Sequence, residues 1–179
     1  ANVVELLEDK HIKVIHVEAG EEYDGMQTNL KGSLIPVIAI NVSKIKKDDR
    51  KRFTALHELA HLLLKIPDTF SEKEKENFCH QFAGAMLFPE AAVRKELGDK
   101  RSRIHLQELG SLKKQYGISM QAIIMRAKVL NIISDATCRQ LFMTFRQMNW
   151  RVDEPVNYIG NENTNRFDQL LYRALAEEI

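Results

Sequence analysis

The sequence predicts an α+β fold in which a small β-sheet precedes a mainly helical remainder. Two short runs rich in β-branched residues, IKVIHV and LIPVIAINV, lie within the first quarter of the chain. From about position 49 onward the apolar residues instead recur every three or four positions, the period of helices. Prolines and glycines at 67, 89, 98 and 117 cut that second part into helix-sized pieces. Strands first and helices afterwards is the α+β order.

In chain order, residues 2–9 read as a short amphipathic helix with Val3, Leu6 and Leu7 on one side. Residues 12–17 alternate and form a strand. The polar, glycine-punctuated stretch that follows, up to Gly32, reads as turns or a hairpin. Residues 34–42 carry the strongest strand signal, and Pro36 near its start predicts an edge strand, because proline cannot donate to a sheet ladder. A helix over about 49–65 has Phe53, Leu56, Ala60, Leu63 and Leu64 as its apolar side and must stop before Pro67. Ser71 to Glu74 is a capping-box pattern opening a second helix that runs to about Phe88. A short helix over 90–97 ends at Gly98. Leu106, Leu109, Leu112 and Tyr116 mark the next, closed by Gly117; Ser119 and Ser134 are N-caps for two more. Residues 151–163 read as a polar loop, and Phe167, Leu170, Leu171 and Leu175 mark a last helix. The expected division is a core over 1–98 and a helical region over 99–179 packed on it.

The bulk numbers suit one compact domain: 179 residues, 44% apolar and 28% charged. Lys plus Arg is 26 and Asp plus Glu 25, so no bulk charge draws the chain to nucleic acid or acidic lipid. No apolar run approaches the roughly 18 residues of a membrane span. The first residues lack the charged leader and apolar stretch of a secretory signal. Cys79 and Cys138 make no disulfide framework. A cytoplasmic location is therefore expected. The chain starts at Ala1, so a processed product or a fragment lacking an upstream domain is also expected.

The chemistry is concentrated in His57-Glu58-Leu59-Ala60-His61. Histidines four apart on a helix share a face, one turn apart, where both imidazoles reach a single ion. Zinc takes imidazole nitrogen readily, and a catalytic site leaves one position for water. Glu58, beside the first histidine, is placed to reach that water. A bare five-residue match also arises by chance, as a helix with two unremarkable histidines. Here the helix is otherwise Phe, Ala and Leu, where unpaired imidazoles are costly to bury. Two histidines leave the site one ligand short, and Glu76 on the next helix is the best candidate. Cys79 is a rival for a soft metal, although free cysteine is more often a small buried residue. His80 is either a ligand or a group orienting one; the second is preferred, because two histidines and a carboxylate already leave zinc its open position.

RFTALHELAHLLL, followed by ENFCHQFAGAMLFP, resembles the ImmA/IrrE family of zinc metallopeptidases. The strand PVIAINV and the later YGISMQAIIMRAKVLNIIS and FDQLLYRALAEE are similar to it too. The resemblance implies a zincin-like fold, Zn2+ held by His57, His61 and Glu76, and Glu58 as the catalytic glutamate. Phe82, Ala83, Leu87 and Pro89 match the rest of the motif; His80 stands where the family usually has Asn or Asp. It further implies an endopeptidase that cleaves a repressor or other regulator in bacteria or a mobile element, often linked to a helix-turn-helix module.

On this reading the substrate is a protein or peptide, lying extended along residues 36–42 as an added strand. His80, His105 and Tyr116 are candidate donors to the reacting oxygen, Tyr116 reading more simply as a core residue. One rival reading is a DNA-binding module over 106–130, with YGIS at the turn, but its second helix offers only Gln121, Arg126 and Lys128 as contacts. Another is a metal-binding regulatory protein of toxin–antitoxin type without general proteolysis. No membrane partner is expected.

Overall fold

The computed structural model describes residues 2–29, 35–163 and 166–177. Leu30, Lys31, Gly32 and Leu34, included in the expected hairpin and strand, fall outside the described residues, as does the side chain of Phe167. The described elements are α1 (Val3–Asp9), β1 (Lys13–Val17), β2 (Gly25–Asn29), β3 (Pro36–Asn41), α2 (Asp48–Leu63), α3 (Glu72–Leu87), α4 (Glu90–Leu97), α5 (Leu106–Tyr116), α6 (Met120–Val129), α7 (Asp135–Gln147) and α8 (Arg166–Ala176).

The three strands form one sheet in the order β1-β3-β2. β1 runs parallel to β3, from Lys13 opposite Val37 to Val17 opposite Asn41. β2 runs antiparallel, from Gly25 opposite Ile40 to Asn29 opposite Pro36. β3 is thus the central strand, contrary to the edge position that Pro36 suggested. Pro36 is its first residue, a place where the missing N–H does little harm to the ladder. Residues Val37, Ile38, Ala39, Ile40 and Asn41 are all buried, as in a strand covered on both faces. Among the described residues, β1 and β2 are the edge strands of the sheet.

α2 packs on the sheet through β2 and β3, and against α3. Ala55, Leu56, Leu59 and Ala60 are its buried apolar residues, while Leu63, expected on that side, is exposed at the last turn. The predicted stops and starts hold. Ser71 and Glu74 form a capping box, and Ser119 and Ser134 accept from Ala122 N and Thr137 N. Gly98 and Gly117 close α4 and α5 at φ of 76° and 61°. One apolar core runs from Val3 and Leu7 through Ile38, Ile40 and Leu56 to Phe88, Leu109, Ile123 and Phe145.

The segment over 151–163 is a loop, but not the solvated one its composition suggested. Glu154 and Glu162 are buried. Glu154 accepts from Lys113 Nζ (2.8 Å) and from the backbone N–H groups of Met120 (3.0 Å) and Gln121 (3.1 Å), so it caps α6. Asp49, at the start of α2, binds the same Lys113 Nζ at 2.7 Å. Burial alone would pull the Lys113 pKa down; hydrogen bonds to Asp49 and Glu154, and their charges, outweigh it and the net shift is upward. Glu162 accepts from Val3 N (2.7 Å) at the start of α1 and pairs with Arg52 (3.5 Å). Arg52 also donates to the Tyr158 hydroxyl (2.6 Å). These contacts make the segment a strap across the ends of three helices.

Gly117 lies under that strap. A Cβ there would sit 2.2 Å from Arg52 Nη1 and 2.7 Å from Cζ of Tyr158. Gly117→Ala is expected to lose about 1–2 kcal/mol from the left-handed backbone alone, and more from displacing the Arg52–Tyr158 contact. Gly117→Asn, which the backbone conformation by itself tolerates better, is expected to be nearly as harmful. Urea unfolding of both variants checks this: recovery of wild-type stability by Asn would show that the crowding does not matter.

Candidate metal centre and active site

The third and fourth turns of α2 present His57 and His61 on one face, with ring centroids 4.8 Å apart. Their Nε2 atoms are 3.2 Å apart. α3 packs against α2 and brings Glu76 to the same point, its two carboxylate oxygens 3.1 Å from His57 Nε2 and 3.3 Å from His61 Nε2. The three are the one metal-capable group of histidine, cysteine or acidic side chains found among the described residues.

The spacing fits a small divalent ion. With bonds of about 2.0–2.2 Å and tetrahedral angles, nitrogen and oxygen donors around zinc lie about 3.3–3.5 Å apart. Two neutral imidazoles aiming lone pairs at each other across 3.2 Å would repel unless a proton or cation lay between them. Two imidazole nitrogens and a carboxylate are also a donor set suited to zinc. His57 is held neutral, its pKa lowered to about 4 by burial first, then by His80 and His61, with Glu76 opposing. A neutral ring is what coordination requires. Exposure rises from 13% at the His57 side chain to 48% at Glu76, so the group opens to solvent on the Glu76 side.

Glu58 is buried and lines the same cleft. Burial, and then the charges of Glu76 and Asp24, push its carboxyl up to about 7, in the range where a group can both take and return a proton near neutrality. Gly25 of β2 makes room for it. A Cβ at that position would lie 2.7 Å from Thr54 Cγ2 and 3.1 Å from both Ala39 O and Glu58 Cγ, so β2 and α2 approach this closely only over a glycine.

The other candidates separate. His80 is exposed, its ring tilted against that of His57 with centroids 4.5 Å apart, and it stands outside the donor cluster. Cys79 is fully buried with Sγ 3.5 Å from His61 Nδ1, the nitrogen away from the cluster. Burial, then Glu76 and Glu58, push its thiol up to about 11. His105 sits exposed at the start of α5. Tyr116 donates to Glu96 (2.9 Å) and packs its ring, tilted by 39°, against that of Phe88. Neither lines the cleft, whereas His80 does.

The cleft measures about 1080 Å³, larger than a typical small-molecule pocket. Its walls include residues that sequence reasoning did not single out: Met26 and Gln27 of β2, Ala122 and Met125 of α6, and Phe142 of α7. Gln121, Arg126 and Lys128, the polar side chains a DNA-reading α6 would need, are engaged within the chain. Gln121 donates to Arg151 O, Arg126 to Phe88 O, and Lys128 pairs with Asp135.

A small sheet backed by a helix whose paired histidines meet a glutamate of the next helix is a zincin-like arrangement, here followed by a helical part. The chain belongs to the Peptidase_M78 family, matching its IrrE N-terminal-like domain over residues 7–128. The family points to a peptidase, and generally to a metal-dependent one, in agreement with the resemblance carried by the motif. No curated protein matches the chain. Among solved structures, a Mycobacterium tuberculosis transcriptional regulator is similar at 15% identity and a TM-score of 0.50, over 69% of this chain and 38% of that one. At that identity the likeness concerns the fold alone, and this chain spans well under half of that protein's length.

Proposed function

We propose that this chain is a zinc-dependent endopeptidase whose substrate is a transcriptional repressor or other regulator protein. The observation that carries the proposal is the meeting of His57 Nε2, His61 Nε2 and the Glu76 carboxylate at mutual separations of 3.1–3.3 Å. On this reading the metal site belongs to a core over 1–98, and the helical region over 99–179 supplies the far wall of the cleft. The regulatory role is supported by the family's resemblance and by the fold shared with a transcriptional regulator.

Bound at these three side chains, zinc would supply Lewis acidity, lowering the pKa of a water to roughly 7 and polarising a peptide carbonyl. Glu58 takes the proton from the attacking water and passes it to the departing amine. Its burial and raised pKa suit both halves of that task. The substrate strand adds to β2 rather than to residues 36–42, because β3 has neighbours on both sides while β2 is an edge strand among the described residues and lines the cleft. His80, exposed in the cleft beside His57, is the remaining one of the three candidate donors to the reacting oxygen.

The test is metal content and cleavage measured together. Wild type is expected to bind one zinc, to lose cleavage of a regulator protein on chelation and to regain it with added zinc. His61→Ala is expected to lose both zinc and cleavage. Equal zinc content in wild type and His61→Ala would end the proposal. Stoichiometric zinc with no cleavage of regulator proteins would favour a metal-binding regulatory protein instead.

A further inference from the structure

His61 shows its two ring nitrogens to two different surroundings. Nε2 faces His57 and Glu76, while Nδ1 lies 3.5 Å from the sulfur of the fully buried Cys79. His57 is unlike it: its Nδ1 is buried with no hydrogen-bond partner among the described residues. Cys79 follows Glu76 by three positions on α3, so the helix face that delivers the carboxylate to the cluster delivers the thiol to His61.

An imidazole that gives its Nε2 lone pair to a cation carries its proton on Nδ1, and that N–H needs an acceptor when buried. The partner of the second nitrogen fixes both the tautomer and the ring orientation of a metal-bound histidine. We propose that Cys79 is a positioning residue, its sulfur accepting the His61 Nδ1–H and so aiming Nε2 at the donor cluster. This rests on the reading of His57, His61 and Glu76 as a zinc site. It also separates Cys79 from the ligands themselves, because its sulfur is next to the nitrogen that the cluster does not use.

The test compares zinc affinity, by competition with a chromophoric chelator, in wild type, Cys79→Ala and Cys79→Ser, with thermal melting of each metal-free protein as the check on folding. Cys79→Ala is expected to bind zinc about tenfold more weakly, and Cys79→Ser, which keeps an acceptor, to stay within about threefold of wild type. In the zinc-loaded protein the His61 Nδ1–H proton resonance is expected to move upfield in Cys79→Ala, while that of His57 stays in place. Cobalt-substituted wild type is expected to show no thiolate-to-cobalt charge-transfer band. Wild-type affinity in Cys79→Ala with an unmoved His61 resonance would overturn the proposal, and so would a thiolate band, which would make Cys79 a ligand. Failure of wild type to bind zinc at all would instead remove the metal-site reading, and this inference with it.

Discussion

Glu58→Gln is expected to bind zinc as wild type does while cleavage falls by about 10²–10⁴-fold, the usual contribution of a positioned acid–base group. Glu58 stands outside the cluster formed by His57, His61 and Glu76, so the amide should leave metal content unchanged. The substitution is nearly isosteric, and Glu58 lies against Gly25, where a change of volume would be felt. An amide can neither take a proton from water nor return one to an amine. The burial that raises the Glu58 pKa also makes a neutral amide easy to accommodate. Zinc content and cleavage rate must therefore part company in this variant. A Glu58→Gln protein that cleaves at the wild-type rate would remove Glu58 from the chemistry.

Lys113→Met is expected to destabilise the fold by about 3–5 kcal/mol, the cost of removing one partner from a buried ionic group. The lysine is 1% exposed and lies between Asp49 and Glu154, which are 4% and 7% exposed. Methionine matches its length but leaves two buried carboxylates without their cation. Part of that loss should return when Asp49→Asn and Glu154→Gln are added, since a neutral group does not require the missing charge. The pH dependence has a defined sign. The Lys113 pKa is raised in the fold, so its contribution is fully present below the ordinary lysine value of about 10.4 and is lost as pH climbs through the folded value. Urea unfolding of wild type and variants across pH checks both statements, and a Lys113→Met protein within about 1 kcal/mol of wild type would contradict them.

Helix boundaries were legible because the chemistry that sets them is local. Ser71, Ser119 and Ser134 cap their own helices, and Gly98 and Gly117 adopt the positive φ that ends theirs. The paired histidines were legible for a similar reason, since helical spacing alone puts His57 and His61 on one face; Glu76, in the second turn of α3, reaches them through the packing of α3 on α2. What sequence could not show depends on partners distant in the chain. β2 is a polar run, GMQTN, and is a strand because β3 pairs with it and Gly25 lets it lie on α2. Pro36 argued for an edge, but at the first position of β3 the penalty vanishes; the near-continuous apolar run after it was the better signal for a central strand. Glu154 and Glu162 look like ordinary loop acids until Lys113, Arg52 and two helix N-termini converge on them.

The bond from Val3 to Glu162 has a temporal consequence. It joins residues 159 positions apart, so during synthesis the amide at the start of α1 waits for residue 162 before it is satisfied. Arg52, on the same helix as both histidines, waits for that carboxylate too. A nascent chain halted before residue 162 would hold every side chain of the donor cluster and still lack the brace on α2, the helix of His57 and His61. Closure of this part of the fold therefore waits until residue 162 has been made, as expected where long-range contacts complete a structure.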